Sequence, residues 1–321
     1  MSEASDELRK LLSHALPIII ATGSLLQVIR SLMPSMRRVV DSTENRLMRW
    51  ELFPALRRDF TTIPGLVNPN RVALAREHFV TLAESWAGDP EDRKGGKAIV
   101  ELARNTPSDK DLSELNQWLP ASVTQKPNIC LLGGPRSNEL TANFFGYKEN
   151  IYEPPDCMLP YYFILDPNEK EVVARKFKGE WIPRRVYRLS VPGQKPLRPG
   201  LSDKQVRVKG ESEPVPVLEK DYLIITHMPN RARRLVGLKG DALVVQGMYG
   251  AAMIGMGMAF NNKNLRAIRK GRKGYRYYAS LMEVTGINHD GEFSVPSKVE
   301  HVETRFFLEE QLKPFDGDGK Q

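Results

Sequence analysis

The fold turns on the stretch Pro127-Asn128-Ile129-Cys130-Leu131-Leu132-Gly133-Gly134-Pro135-Arg136-Ser137-Asn138-Glu139. A short apolar run bounded by turn residues reads as a buried strand. It passes directly through two glycines into Glu139 to Tyr147, where helical spacing begins. A second stretch repeats the arrangement: Ala242-Leu243-Val244-Val245-Gln246 runs into Gly247-Met248-Tyr249-Gly250 and a small-residue helix through Ala259. Two strand–glycine–helix units imply an α/β domain with a mostly parallel sheet covered on both faces.

Outward from this pair, Tyr161 to Asp166, Tyr222 to Thr226, Tyr277 to Val284 and Val299 to Leu308 read as further strands, the last two joined around Asn288-His289-Asp290-Gly291. Antiparallel edge strands are expected to close the sheet. Residues 170–217, rich in Pro, Gly and charge, read as a hairpin or extended insertion. The region before it differs in texture. Glu7 to Ser35, Asp41 to Arg58, Pro69 to Trp86 and Gly96 to Arg104 carry apolar residues at helical spacing. The expected layout is therefore a helical domain over 1–118, serving association or signalling, a linker over 119–126, and an α/β ligand-binding domain over 127–321.

Composition sets the outer bounds. The chain has 321 residues, 41% of them hydrophobic and 27% charged, enough to bury a substantial core. Net charge is +8, which favours acidic partners. Cys130 and Cys157 are the two cysteines, and neither has a second Cys or a His at metal spacing, so no metal site is expected. Without a disulfide framework the chain suits the cytoplasm. Leu11 to Ile29 is nineteen residues without an Asp, Glu, Lys or Arg. Its Pro17, Gly23 and polar residues favour a buried or interfacial helix over a membrane span.

The two glycine loops are the expected ligand site. In open sheets, ligands gather beyond the carboxyl ends of parallel strands, where bare glycine backbone and helix N-termini offer N–H donors. Gly133, Gly134, Arg136, Ser137 and Asn138 form the first set, and Gly247, Tyr249 and Gly250 the second. Arg136 offers a bidentate grip on phosphate or carboxylate, and Tyr249 a stacking face. The competing reading makes these loops tight turns, with Asn138 as an N-cap and small residues for close packing. Neither Gly-x-Gly-x-x-Gly, the NAD fingerprint, nor a P-loop follows either strand, so the cofactor is unspecified. Glu139 and His227 are the candidate catalytic groups, with Thr226, Asn230, Glu153 and Asp156 as possible neighbours and His289 and Asp290 as turn residues. The basic, aromatic-flanked run Lys263 to Arg276 offers a separate surface for nucleic acid or an anionic membrane, with a solvated helix as its plain alternative.

The strand running into Gly133-Gly134-Pro135 and the later strand running into Gly247 to Gly257 resemble the Rossmann-like superclass that includes nucleoside deoxyribosyltransferases and lysine-decarboxylase-like phosphoribohydrolases. The resemblance implies a Rossmann-like fold, nucleotide binding and, in some members, N-glycosidic cleavage by an acidic residue. The Pro-Gly-Gly-x-Gly-Thr-x-x-Glu string of the phosphoribohydrolases does not occur, and Glu139 is the only acid inside either loop motif. Together these readings lead to a nucleotide or small phosphorylated-ligand binding protein acting as sensor or effector, with self-association through the helical half. The alternatives are a hydrolase acting on an N-glycosidic bond of a nucleotide, and a nucleic-acid or membrane-surface binding protein.

Overall fold

The computed structural model describes residues 48, 51–54, 60–63, 128–135, 138–147, 154–155, 158–231, 233, 239–270, 272 and 274–312. The chain divides into two compact units, residues 1–51 and 52–321. Met48 and Glu51 are the described residues of the first; both are helical, and Met48 is buried. All that follows concerns the second unit.

Its strands are β1 (Phe60–Ile63), β2 (Asn128–Leu132), β3 (Tyr162–Ile164), β4 (Val172–Phe177), β5 (Glu180–Arg185), β6 (Arg188–Ser190), β7 (Gly200–Val206), β8 (Val215–Pro229), β9 (Asp241–Gly247), β10 (Tyr277–Thr285) and β11 (Lys298–Phe307). Helix α1 (Glu139–Phe145) follows β2, and α2 (Gly250–Ile254), α3 (Met256–Ala259) and α4 (Asn262–Lys270) follow β9. The main sheet runs β1-β2-β9-β8-β10-β11. β1, β2 and β9 are mutually parallel, whereas β8, β10 and β11 alternate in direction. The long β8 has two halves: Val215 to Lys220 pairs with β7 and touches β4, and Asp221 to Pro229 pairs with β9 and β10. β3 and β6 form a separate two-stranded ribbon.

This architecture corrects the expected one. The fold is not a Rossmann-like, mostly parallel α/β sheet, because strand far outweighs helix among the described residues and the parallel block is confined to β1, β2 and β9. Nor is an N-terminal all-helical domain evident. Phe60 to Ile63, inside the span read as helical, is a strand paired in register with Asn128 to Leu131. The expected helices over 7–35, 69–86 and 96–104 lie outside the described residues, as does the 11–29 stretch. No helix among the described residues is long and apolar enough to cross a membrane. The physical cause of the misreading is β8. Both of its faces are buried, so its apolar run is as continuous as that of a parallel strand and carries no mark of direction. The 170–217 insertion proves to be four strands, three of which join the main sheet.

The central strands β2, β9, β10 and the Asp221–Pro229 half of β8 alternate between two buried faces. On the first, Ile129, Leu131, Ile224, Met228, Ala242, Val244, Ala279 and Leu281 join Phe144 and Phe145 of α1 and Tyr161, Phe163 and Leu189 from around the ribbon in one core. On the second lie Cys130, Leu223, Leu243, Val245, Tyr278 and Met282, all buried. Helices α2 to α4 cover this second face: a side chain at Gly255 would meet Val299, which stands opposite Val284 across β11 and β10. The Tyr278 hydroxyl donates to the Leu52 carbonyl at 2.9 Å, and Phe53 packs edge-on to Phe260.

Cys130 sits at the centre of the second face with no exposure, and burial pushes its thiol well above the usual range. Wild type and Cys130→Ala are therefore expected to titrate equal numbers of thiols with Ellman's reagent under native conditions. A difference of one thiol should emerge only in concentrated guanidinium. A native difference would show that the strand is accessible.

Candidate functional site

The parallel strands β2 and β9 are neighbours, and the helices that follow them leave on opposite faces of the sheet. The carboxyl ends of the two strands, the usual ligand position in such sheets, lie between the diverging helices. The two glycine loops meet there. The Gly133 amide donates to the Val245 carbonyl at 3.0 Å. A Cβ at Gly134 would lie 3.4 Å from the Gly247 carbonyl oxygen, so the bare backbones touch. Gly133 holds φ +97, a conformation that side-chain-bearing residues avoid. Gly247 has no room for a methyl group, which would come 2.6 Å from the Tyr249 carbonyl oxygen and 2.9 Å from Ala252 Cβ.

Much of the hydrogen-bonding capacity expected to serve an anion is used internally. Asn138 is buried; its amide nitrogen donates to the Leu132 carbonyl at 2.8 Å, and its carbonyl oxygen accepts from the Thr141 amide at 3.2 Å, capping α1. Tyr249 is buried too, its hydroxyl donating to the Arg185 carbonyl and accepting from the Tyr187 amide, each at 3.1 Å. Its ring packs edge-on to Tyr187 rather than on an open face. Gly250 is the buried first residue of α2. Arg136 and Ser137 lie outside the described residues, as do Glu153 and Asp156; Glu139 opens α1.

At the second loop the acceptor is the protein's own. Asp221, on β8 and fully buried, accepts from the amides of Tyr222 at 2.7 Å, Tyr249 at 3.1 Å and Ala252 at 2.8 Å. Its carboxylate therefore occupies the N-terminus of α2, where an external phosphate would otherwise sit. Burial pushes this carboxyl up to about 8, against the opposing pull of the three amides and the Arg175 guanidinium. Sequence reading missed Asp221 because the residue stands 28 positions before Tyr249, its partner. The expectation of nucleotide binding accordingly gains no support from this loop.

Among the described residues several buried polar groups stay unsatisfied, Gln246 first among them. Gln246, the last residue before Gly247, has no exposure, yet neither its amide nitrogen nor its amide oxygen has a hydrogen-bond partner. Its position alternates with Ala242 and Val244, which places it on the first face, under α1. Thr226, opposite Val244 in the register, is its diagonal neighbour on that face and carries a buried, unpaired hydroxyl. The Thr141 hydroxyl, one turn into α1, is buried and unpaired as well. Read from sequence, Gln246 was merely the end of a strand. A polar residue closing an otherwise apolar run was the only available signal.

His227 is not part of this edge. Because β8 runs antiparallel to β9, its carboxyl end pairs with the start of β9: His227 stands opposite Leu243 and Pro229 opposite Asp241. At about 3.3 Å per residue, the seven residues of β9 separate the two ends by roughly 20 Å. Glu139 and His227 are thus not brought together. At its own end His227 Nδ1 donates to the Arg276 carbonyl at 3.1 Å, since a carbonyl only accepts, which leaves Nε2 without a proton, 3.9 Å from Asp241. Asp241 takes the Arg276 guanidinium at 2.6 Å and the Tyr277 hydroxyl at 3.3 Å. The ring is stacked between Tyr277 and Tyr278, and burial lowers its pKa to about 4. Buried Asn230 begins the turn after β8, its amide bonded to the Gly240 carbonyl. His289 bridges Ser294 and the Leu218 carbonyl, tying the Asn288–Asp290 turn to β8. Among the described residues no three His, Cys, Asp or Glu side chains gather as a metal site.

Two outcomes follow from these bonds. Asp221→Ala orphans three buried amides at about 1–3 kcal/mol each, so denaturant unfolding is expected to show a loss of at least about 3 kcal/mol; near-neutral stability would remove the capping role. For His227 the fold favours the neutral form. Its contribution is complete above pH 6.5 and lost as pH falls towards 4, because the unfolded chain takes a proton that the folded chain refuses. His289 and His301 shift in the same direction, so His227→Phe should flatten the acid limb of a stability–pH curve in part, and an unchanged limb would contradict the assignment. Set against models of known protein families, curated proteins and solved structures, the chain matches none.

Proposed function

We propose that this chain binds a small, neutral, hydrogen-bonding ligand at the carboxyl ends of β2 and β9, as a sensor or effector rather than by turning the ligand over. The observation that carries the reading is Gln246, a fully buried amide with both its donor and its acceptor unpaired. Leaving such groups unsatisfied costs about 1–3 kcal/mol each, and buried polar groups in folded proteins are otherwise nearly always paired. A primary carboxamide presents a donor and an acceptor side by side, and its natural complement is a group presenting the same pair reversed: an amide, a urea or a carboxylic acid. The hydroxyls of Thr141 and Thr226 on the same face add two further polar groups. Charge enters little, because Asp221 fills the α2 terminus and Asn138 caps α1. Binding without turnover is favoured by the separation of His227 from this edge.

The test uses Gln246→Met, which keeps the side-chain length while removing the amide. Without ligand, the variant is expected to unfold with at least about 2 kcal/mol more stability than wild type, the cost of the two orphaned groups being relieved. In a thermal-shift screen of small amides, ureas and carboxylic acids, a compound that raises the wild-type Tm should leave the variant unmoved. A variant no more stable than wild type, or one that retains the ligand shift, would refute the reading.

A further inference from the structure

The basic segment identified in the sequence has no part in the ligand edge. Between Asn262 and Arg276 the chain carries seven Lys and Arg and no acid, against a net charge of +8 for all 321 residues. The remainder of the protein is therefore almost electrically balanced, and this one element holds nearly all of the excess.

The fold presents that charge on a fixed support. Asn264 is buried; its amide nitrogen donates to the Val299 carbonyl at 3.0 Å and its oxygen accepts from the His301 amide at 3.1 Å, fastening α4 along the outer edge of β11. Leu265 and Ile268 face inward and are buried, while Lys263, Arg266 and Lys270 are exposed. Beyond α4 the chain closes a turn: the Tyr275 amide donates to the Arg272 carbonyl at 2.7 Å, and Arg272 Nε donates to the Tyr275 carbonyl at 2.7 Å. Gly274, at φ +88, permits it. The turn sets Tyr275 over Phe306, 37% exposed, within the run of cations. Glu300 pairs with Lys263 and Lys298, and Asp241 with Arg276, so part of this charge is balanced within the protein.

We infer that the outer face of α4 and the Arg272–Arg276 turn form a binding surface for single-stranded nucleic acid. Regularly spaced cations match a phosphate backbone, and an exposed aromatic ring among them offers a stacking platform for a base. A membrane is the poorer fit. An interfacial helix needs its apolar face free to enter the acyl boundary, and Leu265 and Ile268 are already buried in this protein. The surface is distinct from the Gln246 edge and does not rest on it.

The experiment is fluorescence anisotropy of a labelled twenty-nucleotide oligo(dT) against full-length protein over a sodium chloride series, with a duplex of equal length and vesicles containing phosphatidylserine as parallel arms. Wild type is expected to bind oligo(dT) with log K falling linearly in log[NaCl]. K263Q/R266Q/K270Q should flatten that slope by about 2, at roughly 0.7 per lost phosphate contact, and weaken binding tenfold or more at low salt. Tyr275→Ala should weaken oligo(dT) binding by roughly fivefold or more with the slope unchanged, and spare the duplex. The control K195Q/K204Q/K209Q removes the same charge from exposed positions elsewhere and should bind as wild type; each variant is first shown to keep the wild-type Tm. Absent or salt-insensitive binding, equal losses in the control, or capture by vesicles in place of oligo(dT) overturns the inference.

Discussion

A carboxyl group buried in the middle of a sheet must find donors, and Asp221 finds them in the amide of its chain neighbour Tyr222, in that of Tyr249 just before α2 and in that of Ala252 in its first turn. That constraint orders the centre of the molecule. It holds α2 against the face of β8 that carries Leu223 and Ile225, and so sends the chain after β9 to the side opposite α1. It requires Gly247, because the turn from β9 to the capped helix is too tight for a methyl group. It also consumes the free amides at the start of α2. A buried acceptor so held is costly to remove, because its amide donors are left unpaired.

Against this centre, the sequence was informative in some places and silent in others. β2, β9, β10 and β11 are visible as apolar runs between turn residues, and the start of α1 is marked by an asparagine that does cap it. The upper half of β8 was visible as a strand, but its direction was not, and direction decides whether His227 shares an end of the sheet with Gly133 or stands at the other. The lower half, Val215 to Lys220, was hidden because Pro214 and Pro216 suggested an insertion. Proline is tolerated there: at the β8 end, Pro216 pairs with Gln205 across an irregular register with β7. β1 escaped detection because four residues, Phe60 to Ile63, follow a helical pattern with no alternation long enough to register.

The candidate edge was legible only in outline. Its glycines announced close backbone approach, and that is what they provide, to one another and to Ala252 and Met253. The polar groups that give the edge chemical character, Gln246 and Thr226, belong to two strands and come together only through pairing register. No local motif encodes that meeting. The cations of α4 are the opposite case. Seven basic residues in fifteen are plain in the sequence, and the fold adds the side on which Leu265 and Ile268 are hidden.

The adjacency of β2 and β9 carries a further consequence for how the molecule is made. Asn128 and Asp241, bonded side chain to backbone at the foot of these strands, are 113 residues apart in the chain. Between them lie the ribbon, the β4–β5 hairpin, β7 and the whole of β8, so the glycine loops meet late, after a long loop has been drawn in at entropic cost. On a ribosome the antiparallel pairing of β8 with β9 is available first, and the emerging β9 keeps one edge open until β2 returns to it. During that interval a row of unpaired amides and carbonyls on an apolar strand is exposed to other chains. Nascent protein is thus at its most vulnerable to misassociation along the same edge that, once closed, holds the buried Gln246.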